Sequence, residues 1–399
     1  MKKWHLLFIL VSLSLSGCWD RVEVDEIGIV LGIGVDRVPD DKRPILLTLQ
    51  VVNPAAIKSG ETGSGQGQSL YVLTSQGRTF FSALQAVSTS YPRRFIFSHN
   101  QLVVFGKDFA KTDITEVMNY IDRDREFREN IWVIAAEKTA KEVLQTEIAL
   151  ETLSPKGLDI MMSKFTETAF TLPIEFYKFR NLLKAETKTA TAPLIRIEER
   201  EKKVERMLAE STEEKMAKSK FALDPTIVIE ETAIFHDKKM VGVISQNESR
   251  GLLWLKNQLT GGTVVINGKD DQEISVMILK GKTKIFPSVK GNQIFMKIEC
   301  KGEATIEEVE NDALDLNDPK VIKQLEKQTA AIIKSRVRRT IEKAQHELNV
   351  DFIGFSSILH NELPDEWKRF SKDWPEVFPQ VQYEIDVQIT LSMVGKIIK

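Results

Sequence analysis

Short stretches in which bulky apolar residues alternate with small or polar ones recur through residues 27–197, which is the period-two pattern of β-strands. In residues 27–35 one face carries isoleucine, leucine and valine, whereas Gly28, Gly32 and Gly34 leave the other face nearly bare. A nearly bare face predicts that another element packs closely against it. Strands are predicted at residues 27–35, 45–51, 70–74, 95–97, 101–105, 131–136 and 189–197.

Stretches with helical spacing lie between these strands, and this order of elements favours an α/β layer on a mixed sheet. Helices are predicted at residues 79–91, 113–120 and 139–146, and in the region between about 154 and 185. Asp113 and Glu116 have the spacing of a capping box at the start of the second of these helices. Residues 54–69 are rich in glycine and serine and are predicted to form a solvated loop.

The later part of the chain has the pattern of an antiparallel sheet with one long helix. A hairpin is predicted at residues 227–244, a helix at 248–259, and strands at 263–266, 274–279, 283–289, 293–306 and 383–393. Asp318 as N-cap and Pro319 in the first turn predict a helix over residues 319–348, about 45 Å long. We expect the sheet to cover its apolar stripe. Trp367, Phe370 and Trp374 are spaced to share a helical face and are expected to close an edge of the core.

A segment crowded with both charges, residues 198–220, separates the two patterns and is typical of a linker. The predicted fold class is therefore α+β, in several domains. An N-terminal mixed α/β region is predicted at residues 18–200, with the possibility of two subdomains, then a charged linker at 201–224. An antiparallel sheet packed around the long helix is predicted at 225–399. The apolar content of 42% and charged content of 28% are ordinary for globular proteins.

The first residues have the pattern of a secretory signal, with Lys2 and Lys3 before a short apolar run. The run is shorter than the roughly 20 apolar residues that a spanning helix needs. It ends in Leu15-Ser16-Gly17-Cys18, which resembles a bacterial lipobox. This motif predicts a signal peptide at residues 1–17, cleavage between Gly17 and Cys18, and a diacylglycerol thioether on the Cys18 thiol. The alternative is an ordinary secretory signal that contains a cysteine.

Cleavage before Cys18 would remove two lysines and change the formal net charge from −2 to −4. A net negative charge of this size does not indicate a basic surface for binding nucleic acid. Two acyl chains on Cys18, with a third expected on its amino group, give firm membrane anchoring, whereas one chain binds only marginally. No later segment has the length and apolarity of a spanning helix. Cys300 would be the remaining cysteine, and its place in an alternating stretch predicts a buried thiol.

Known catalytic and metal-binding patterns are absent from the sequence. The five histidines are scattered, and none has metal-ligand spacing with another histidine or cysteine. Gly32-Ile33-Gly34 lacks the third glycine of a dinucleotide motif, because Arg37 stands there. We therefore predict no catalytic residue, no cofactor and no metal, and His99 is the one histidine worth testing as a catalyst. Lys334, Arg336, Arg338 and Arg339 form a basic stretch, for which either a solvated face or a contact with anionic lipid remains open.

Four stretches make the chain resemble the Ger(x)C family, the lipoprotein C subunits of bacterial spore germinant receptors. They are Cys18-Trp19-Asp20 with Glu26-Ile27-Gly28 and Gly32-Ile33-Gly34-Val35-Asp36; Phe97-Ser98-His99-Asn100 through Val104-Phe105-Gly106-Lys107 with Arg123-Asp124 and Arg128; Ala233-Ile234-Phe235 to Val241-Gly242 with Arg250-Gly251-Leu252-Leu253-Trp254-Leu255; and Trp367 and Trp374 with Gly395. The resemblance implies a multidomain α+β ectodomain that ends in a sheet around a long helix. It also implies a complex with a polytopic A subunit and a membrane B subunit in the spore inner membrane.

The leading hypothesis is therefore a non-enzymatic receptor subunit, held by lipid on Cys18 at the outer face of the cell membrane or the spore inner membrane. A solute-binding lipoprotein that presents a small nutrient to a membrane complex is the first alternative. That class uses two similar α/β lobes, whereas the second half of this sequence has an antiparallel pattern. A surface hydrolase is the remaining hypothesis.

Overall fold

The computed structural model describes residues 26–39, 41–53, 70–146, 148, 154–168, 170–198, 226–267, 273–309, 316 and 318–392. The predicted signal peptide with Gly17 and Cys18, the glycine- and serine-rich loop at 54–69 and the predicted linker at 201–224 lie outside these residues. Two sheets organise the rest of the chain. Helices and strands occur in similar amounts in both halves, so the predicted α+β class is confirmed.

The first sheet contains strands β1 to β9 and is mixed, as predicted. The strands are Ile27–Arg37, Ile45–Val52, Leu70–Gly77, Arg94–Ile96, Leu102–Phe105, Trp132–Ala136, Thr189–Glu198, Thr226–His236 and Lys239–Ile244. Helices α1 to α6 are Phe80–Ser90, Lys107–Ala110, Thr115–Arg123, Ala140–Gln145, Ser154–Thr168 and Phe176–Lys184. The order across the sheet is β3-β2-β1-β5-β6-β7-β8-β9, with β4 beside the start of β1. Strands β1, β4, β5, β6 and β7 run parallel, whereas the pairs β1–β2, β2–β3, β7–β8 and β8–β9 are antiparallel.

The glycine face of β1 explains how a helix lies so close to the sheet. A Cβ atom on Gly34 would lie 3.0 Å from the Cβ of Ala140, and one on Gly32 would lie 3.0 Å from Leu144, both in α4. Any larger residue at either position would have to displace this helix. The predicted close packing is confirmed for Gly32 and Gly34, whereas an irregularity between Val30 and Gly32 places Gly28 against Val51 and Phe95 instead.

The hairpin of β8 and β9 follows the predicted linker but belongs to the first sheet. Strand β8 pairs antiparallel with β7 from Thr189 opposite His236 to Glu198 opposite Thr226. The sequence pattern placed this hairpin in the C-terminal part, because the charge-rich segment precedes it. Its hydrogen bonds join it to the earlier strands, since β8 pairs with the edge of β7 that would otherwise be left open.

The second sheet has the order β10-β11-β12-β13. After helix α7, Gln246–Leu255, come β10 to β12, which are Thr263–Asn267, Glu273–Lys290 and Gln293–Val309. Helix α8, Pro319–Glu342, continues into one turn of π-helix, Lys343–Leu348. Helices α9 to α11 are Phe355–Glu362, Pro364–Phe370 and Trp374–Val377, and β13 is Gln382–Leu391.

Two details of this sheet differ from the predicted antiparallel meander. Strand β13 pairs in parallel with β12, because α8 carries the chain back along the sheet before β13 begins. The predicted strands at 274–279 and 283–289 are one strand, β11, which bends at an irregularity between Ile278 and Lys280. Gly281 and Gly302 are paired across this part of the sheet, and Cβ atoms on either would lie within 2.9 Å of the Trp254 ring. The bend and the two glycines make room for the indole of α7.

The long helix lies against the sheet as predicted. Its buried face carries Leu325, Ile333, Val337 and Ile341, and Asp318 caps its start by accepting a hydrogen bond from the Lys320 N–H. Burial of this stripe stabilises the packing of α8 against the sheet, by roughly 1.5–3 kcal/mol for each fully buried side chain. The predicted closing face is also buried, with Trp367, Phe370 and Trp374 each at most 8% exposed.

The capping box predicted for α3 is wrong. Asp113 Oδ1 accepts a hydrogen bond from the Thr115 N–H, but Ile114 is the residue that precedes the helix. The Glu116 carboxylate turns away and accepts a 2.6 Å hydrogen bond from the backbone N–H of Phe80. Glu116 therefore satisfies the first turn of α1, because tertiary packing brings a second helix start within reach of its side chain.

Candidate functional site

His99 lies in a polar cleft of about 370 Å³ where the parallel strands of the first sheet begin. The cleft is lined by Ile29, Leu31, Val52, His99, Asn100, Gln101, Arg128, Asn130 and Asp159. Asn100 is buried, and its amide nitrogen donates to the carbonyl oxygens of Leu31 and Leu102 at 3.0 and 3.1 Å. Asp159 accepts a 2.7 Å hydrogen bond from the indole N–H of Trp132.

These contacts engage Asn100 and Asp159 in holding the fold around the His99 cleft. Its lining in the described part of the chain includes no serine, threonine or cysteine, so His99 has no nucleophile to activate there. Asn100 ties the turn before β5 to β1 and β5. The family-like stretch Phe97–Asn100 therefore acts as a structural connection between neighbouring strands.

The basic stretch on α8 divides between two environments. Arg338 and Arg339 are exposed, whereas Arg336 is partly buried against α7, where its Nε donates to Asn247 Oδ1 at 3.1 Å. Burial, with the nearby Arg250 guanidinium, lowers the pKa of Arg336 to about 10. Arg250 itself lies 5.1 Å from the Phe170 ring and donates to the carbonyl oxygen of Thr263. Arg336 is therefore held by contacts within the protein, whereas Arg338 and Arg339 are free to face solvent.

Cys300 is buried in the hydrophobic core of the second sheet, as predicted. The residue is 1% exposed, and burial raises the pKa of its thiol to about 11. The hydroxyl of Thr283 donates to the sulfur at 3.5 Å. A thiol held in this protonated, inaccessible state is not a nucleophile.

A larger cleft of about 710 Å³ lies at the junction of the two sheets. One wall comes from the segment before α6, from α6 itself and from β7. The opposite wall comes from the end of α7, the residues after it and Phe352. Pockets that hold small molecules are common at such junctions.

The loop beside this cleft is held by one carboxylate. Asp351 is 7% exposed and accepts hydrogen bonds from the backbone N–H groups of Gly354, Phe355 and Ser356 at 2.7, 3.0 and 2.8 Å. It also accepts from the Ser356 hydroxyl at 2.6 Å and from the Trp374 indole N–H at 3.2 Å. Three of these donors belong to the start of α9, so Asp351 serves as its anionic cap. No sequence motif singled out Asp351, although an Asp three residues before a glycine is a frequent loop signal.

Neither a place for a metal ion nor a membrane span is found among the side chains and helices of the described residues. Within the ranges given above, no group of three or more histidine, cysteine, aspartate or glutamate side chains could hold a metal ion. Among the helices described, none combines the length and apolarity needed to cross a bilayer. Cys18 and Gly17, the predicted lipidation and cleavage residues, lie outside the described ranges.

Two family models match the chain in order and cover most of it. Residues 20–197 match the spore germination protein N-terminal domain, and residues 230–395 match the C-terminal domain described as spore germination B3/GerAC like. The chain belongs to this Ger(x)C family of spore germination proteins, and it has a role in germination.

Individual relatives span the same length. Spore germination protein KC of Bacillus subtilis (strain 168) is 24% identical over 98% of this chain and 95% of that protein. Spore germination protein B3 of the same organism is 23% identical over 99% of both chains. The crystal structure of the GerBC protein aligns with a TM-score of 0.53 at 18% identity, over 90% of this chain and 96% of that one. This structural likeness supports the fold.

Proposed function

We propose that this protein is a non-enzymatic subunit of a spore germinant receptor, anchored by lipid on Cys18 and needed for the germination response to nutrients. The observation that carries the proposal is the match of two consecutive germination-protein domains over nearly all of the chain that follows the lipobox. Its partners would be the A and B membrane subunits of the receptor. Its position would be the outer face of the cell membrane or the spore inner membrane.

Anchoring at Cys18 would limit how far the start of the first sheet lies from the lipid. The eight Cα–Cα steps from Cys18 to Glu26 can span at most about 29 Å. Strand β1 begins directly after them, next to β4 and the His99 cleft. This end of the first sheet would therefore lie within that distance of the bilayer surface.

A Cys18→Ala substitution tests the anchor. We expect the variant to leave the membrane fraction of spores and to reduce nutrient-triggered germination, because the acyl chains would be its firm attachment. Cys300→Ala is the matched control, since Cys300 is buried far from any lipid and its variant should stay in the membrane fraction. Equal partitioning of the Cys18 variant and the unaltered protein would refute the anchor.

Crosslinking in isolated spore membranes tests the receptor assignment separately. Lysine-reactive crosslinkers followed by mass spectrometry should join this protein to two different integral membrane proteins. Recovery of this chain without such membrane proteins, although it is membrane-bound, would contradict a subunit role.

The architecture does not favour the solute-binding class. Solute-binding proteins have two similar α/β lobes, whereas here a mixed sheet with five parallel strands is followed by a four-stranded sheet with one long helix. The hydrolase hypothesis lacks a supporting observation, because neither His99 nor Cys300 has a catalytic arrangement around it.

A further inference from the structure

The cleft at the junction of the two sheets contains a lysine in an unusual position. Lys256 is the first residue after α7, and its backbone N–H donates to the Leu252 carbonyl oxygen at 2.8 Å. Its side chain runs towards the loop that precedes α9. The Nζ atom lies 3.3 Å from the place that a Cβ atom would take on Gly354, which has a φ of +95°. A glycine with no side chain therefore leaves room for the ammonium group.

The protein does not supply a close acceptor for this ammonium group. In the part of the chain that the structure describes, Lys256 Nζ has neither a hydrogen bond nor a carboxylate within 4 Å. Asp351 is near enough to act on it electrostatically, but its two oxygens already accept five hydrogen bonds from the loop, α9 and Trp374. Asp351 is thus committed to the loop, and Lys256 is one of the residues that line the cleft.

The ammonium group of Lys256 is partly shielded from water, because the residue has intermediate exposure. Burial lowers the pKa of Lys256, which means that its surroundings disfavour the charge, and the Asp351 carboxylate opposes this effect only from a distance. An anion bound in the cleft would supply the missing acceptor.

The rest of the cleft restricts the kind of anion. Its charged lining residues are Lys178 and Lys256, and no carboxylate lines it within the described residues. Lys178 is already paired with Glu175 at 2.6 Å and is exposed. The apolar part of the lining includes Leu172, Leu182, Leu253 and Phe352. A volume of about 710 Å³ is large enough for a small organic molecule.

We propose that the cleft between α6, β7 and α7 binds a small organic anion, whose carboxylate pairs with Lys256 Nζ and whose apolar body lies against Leu253 and Phe352. This inference goes beyond the receptor-subunit role and does not depend on the lipid at Cys18. One wall includes β7 of the first sheet, and the other includes Leu253 and Phe352, which belong to the core beneath the second sheet. The ligand therefore stabilises this junction by binding the folded chain.

Titration of the purified full-length chain in detergent tests the proposal. The probes are benzoate and hexanoate, and their neutral amides, benzamide and hexanamide, have the same shape without the charge. We expect saturable binding of at least one carboxylate by ligand-observed NMR, a higher Tm in its presence, and neither effect with the amides. Equal binding of the carboxylates and amides, or no saturable binding of either carboxylate, would overturn the proposal.

Substitutions then locate the charge that is recognised. Lys256→Met keeps the aliphatic part of the side chain and should weaken carboxylate binding by about tenfold or more, as expected for a charge-assisted hydrogen bond. Lys256→Arg should recover part of the affinity. The control is Lys343→Met, a partly buried lysine paired with Glu347 outside the cleft, which should bind as the unaltered chain does. An unchanged affinity in a folded Lys256→Met variant would also overturn the proposal, and the comparison of carboxylate with amide stands even if that variant does not fold.

Discussion

The Asp36 carboxylate accepts a 2.7 Å hydrogen bond from the backbone N–H of Ala140, so the end of the first strand caps a helix that begins 104 residues later. The other carboxylate oxygen accepts from the Lys141 N–H at 2.9 Å. Asp36 is 4% exposed, and burial raises the pKa of its carboxyl group, against the effect of these two donors. This connection and the glycines of β1 together hold α4 on the sheet.

Loss of the Asp36 carboxylate should be costly for the first sheet. We expect Asp36→Ala to lower the free energy of unfolding by about 2–3 kcal/mol, because two buried N–H groups lose their acceptor. Urea unfolding of the full chain measures this change. Asp41→Ala is the control, since Asp41 also accepts a backbone hydrogen bond but is exposed, and it should change stability by less than about 0.5 kcal/mol. Equal losses in the two variants would contradict the role of Asp36.

Adding one methyl group at Gly251, where α7 crosses α8, should lower the free energy of unfolding. A Cβ on Gly251 would lie 2.2 Å from Thr340 Oγ1 and 2.5 Å from the Arg336 carbonyl oxygen. Gly251→Ala should therefore cost about 2–3 kcal/mol by overpacking, despite the better helix propensity of alanine. Denaturant unfolding of the variant gives the value.

Substitution of a second glycine, Gly291, is the control that distinguishes steric crowding from backbone strain. Gly291 has a φ of +62° and open space around it, so Gly291→Ala should cost only about 1 kcal/mol. Adding Thr340→Ala to Gly251→Ala should restore part of the stability, because the Arg336 carbonyl oxygen remains in the way. A larger loss at Gly291 than at Gly251 would show that close helix contact is not the limiting factor.

Because of the buried Cys300 thiol, the free energy of unfolding should fall as the pH becomes alkaline. Its pKa is raised to about 11 in the folded chain by burial, whereas an unfolded cysteine titrates near pH 8.5. The folded state therefore holds the proton more tightly. The resulting stability is fully present below about pH 8.5 and is lost as the pH rises through about 11, by on the order of 3 kcal/mol.

Comparison with Cys300→Ala isolates this effect from the other groups that titrate at high pH. The stability difference between the unaltered chain and the variant should shrink as the pH rises from 8 towards 11. A thiol reagent applied at neutral pH should label Cys300 only as fast as the chain unfolds. A constant stability difference across this range, or rapid labelling of the folded protein, would mean that the thiol is accessible.

Local patterns in the sequence were enough to predict most of the elements. Alternating residues predicted the strands, Asp318 and Pro319 predicted the start of the long helix, and the glycines of β1 predicted close packing on one face. These features depend on backbone conformation and on which face is buried, and both are determined within a few neighbouring residues.

Tertiary structure alone decided which distant groups meet. The sequence did not indicate that β8 would join the first sheet, that β13 would pair in parallel, or that Glu116 would cap α1. Nor did it distinguish Lys256 from the many other lysines, since its position becomes unusual only because Asp351 is already occupied and Gly354 leaves space beside it. Such relationships arise from chain topology, which brings together side chains far apart in sequence, so no local pattern can specify them.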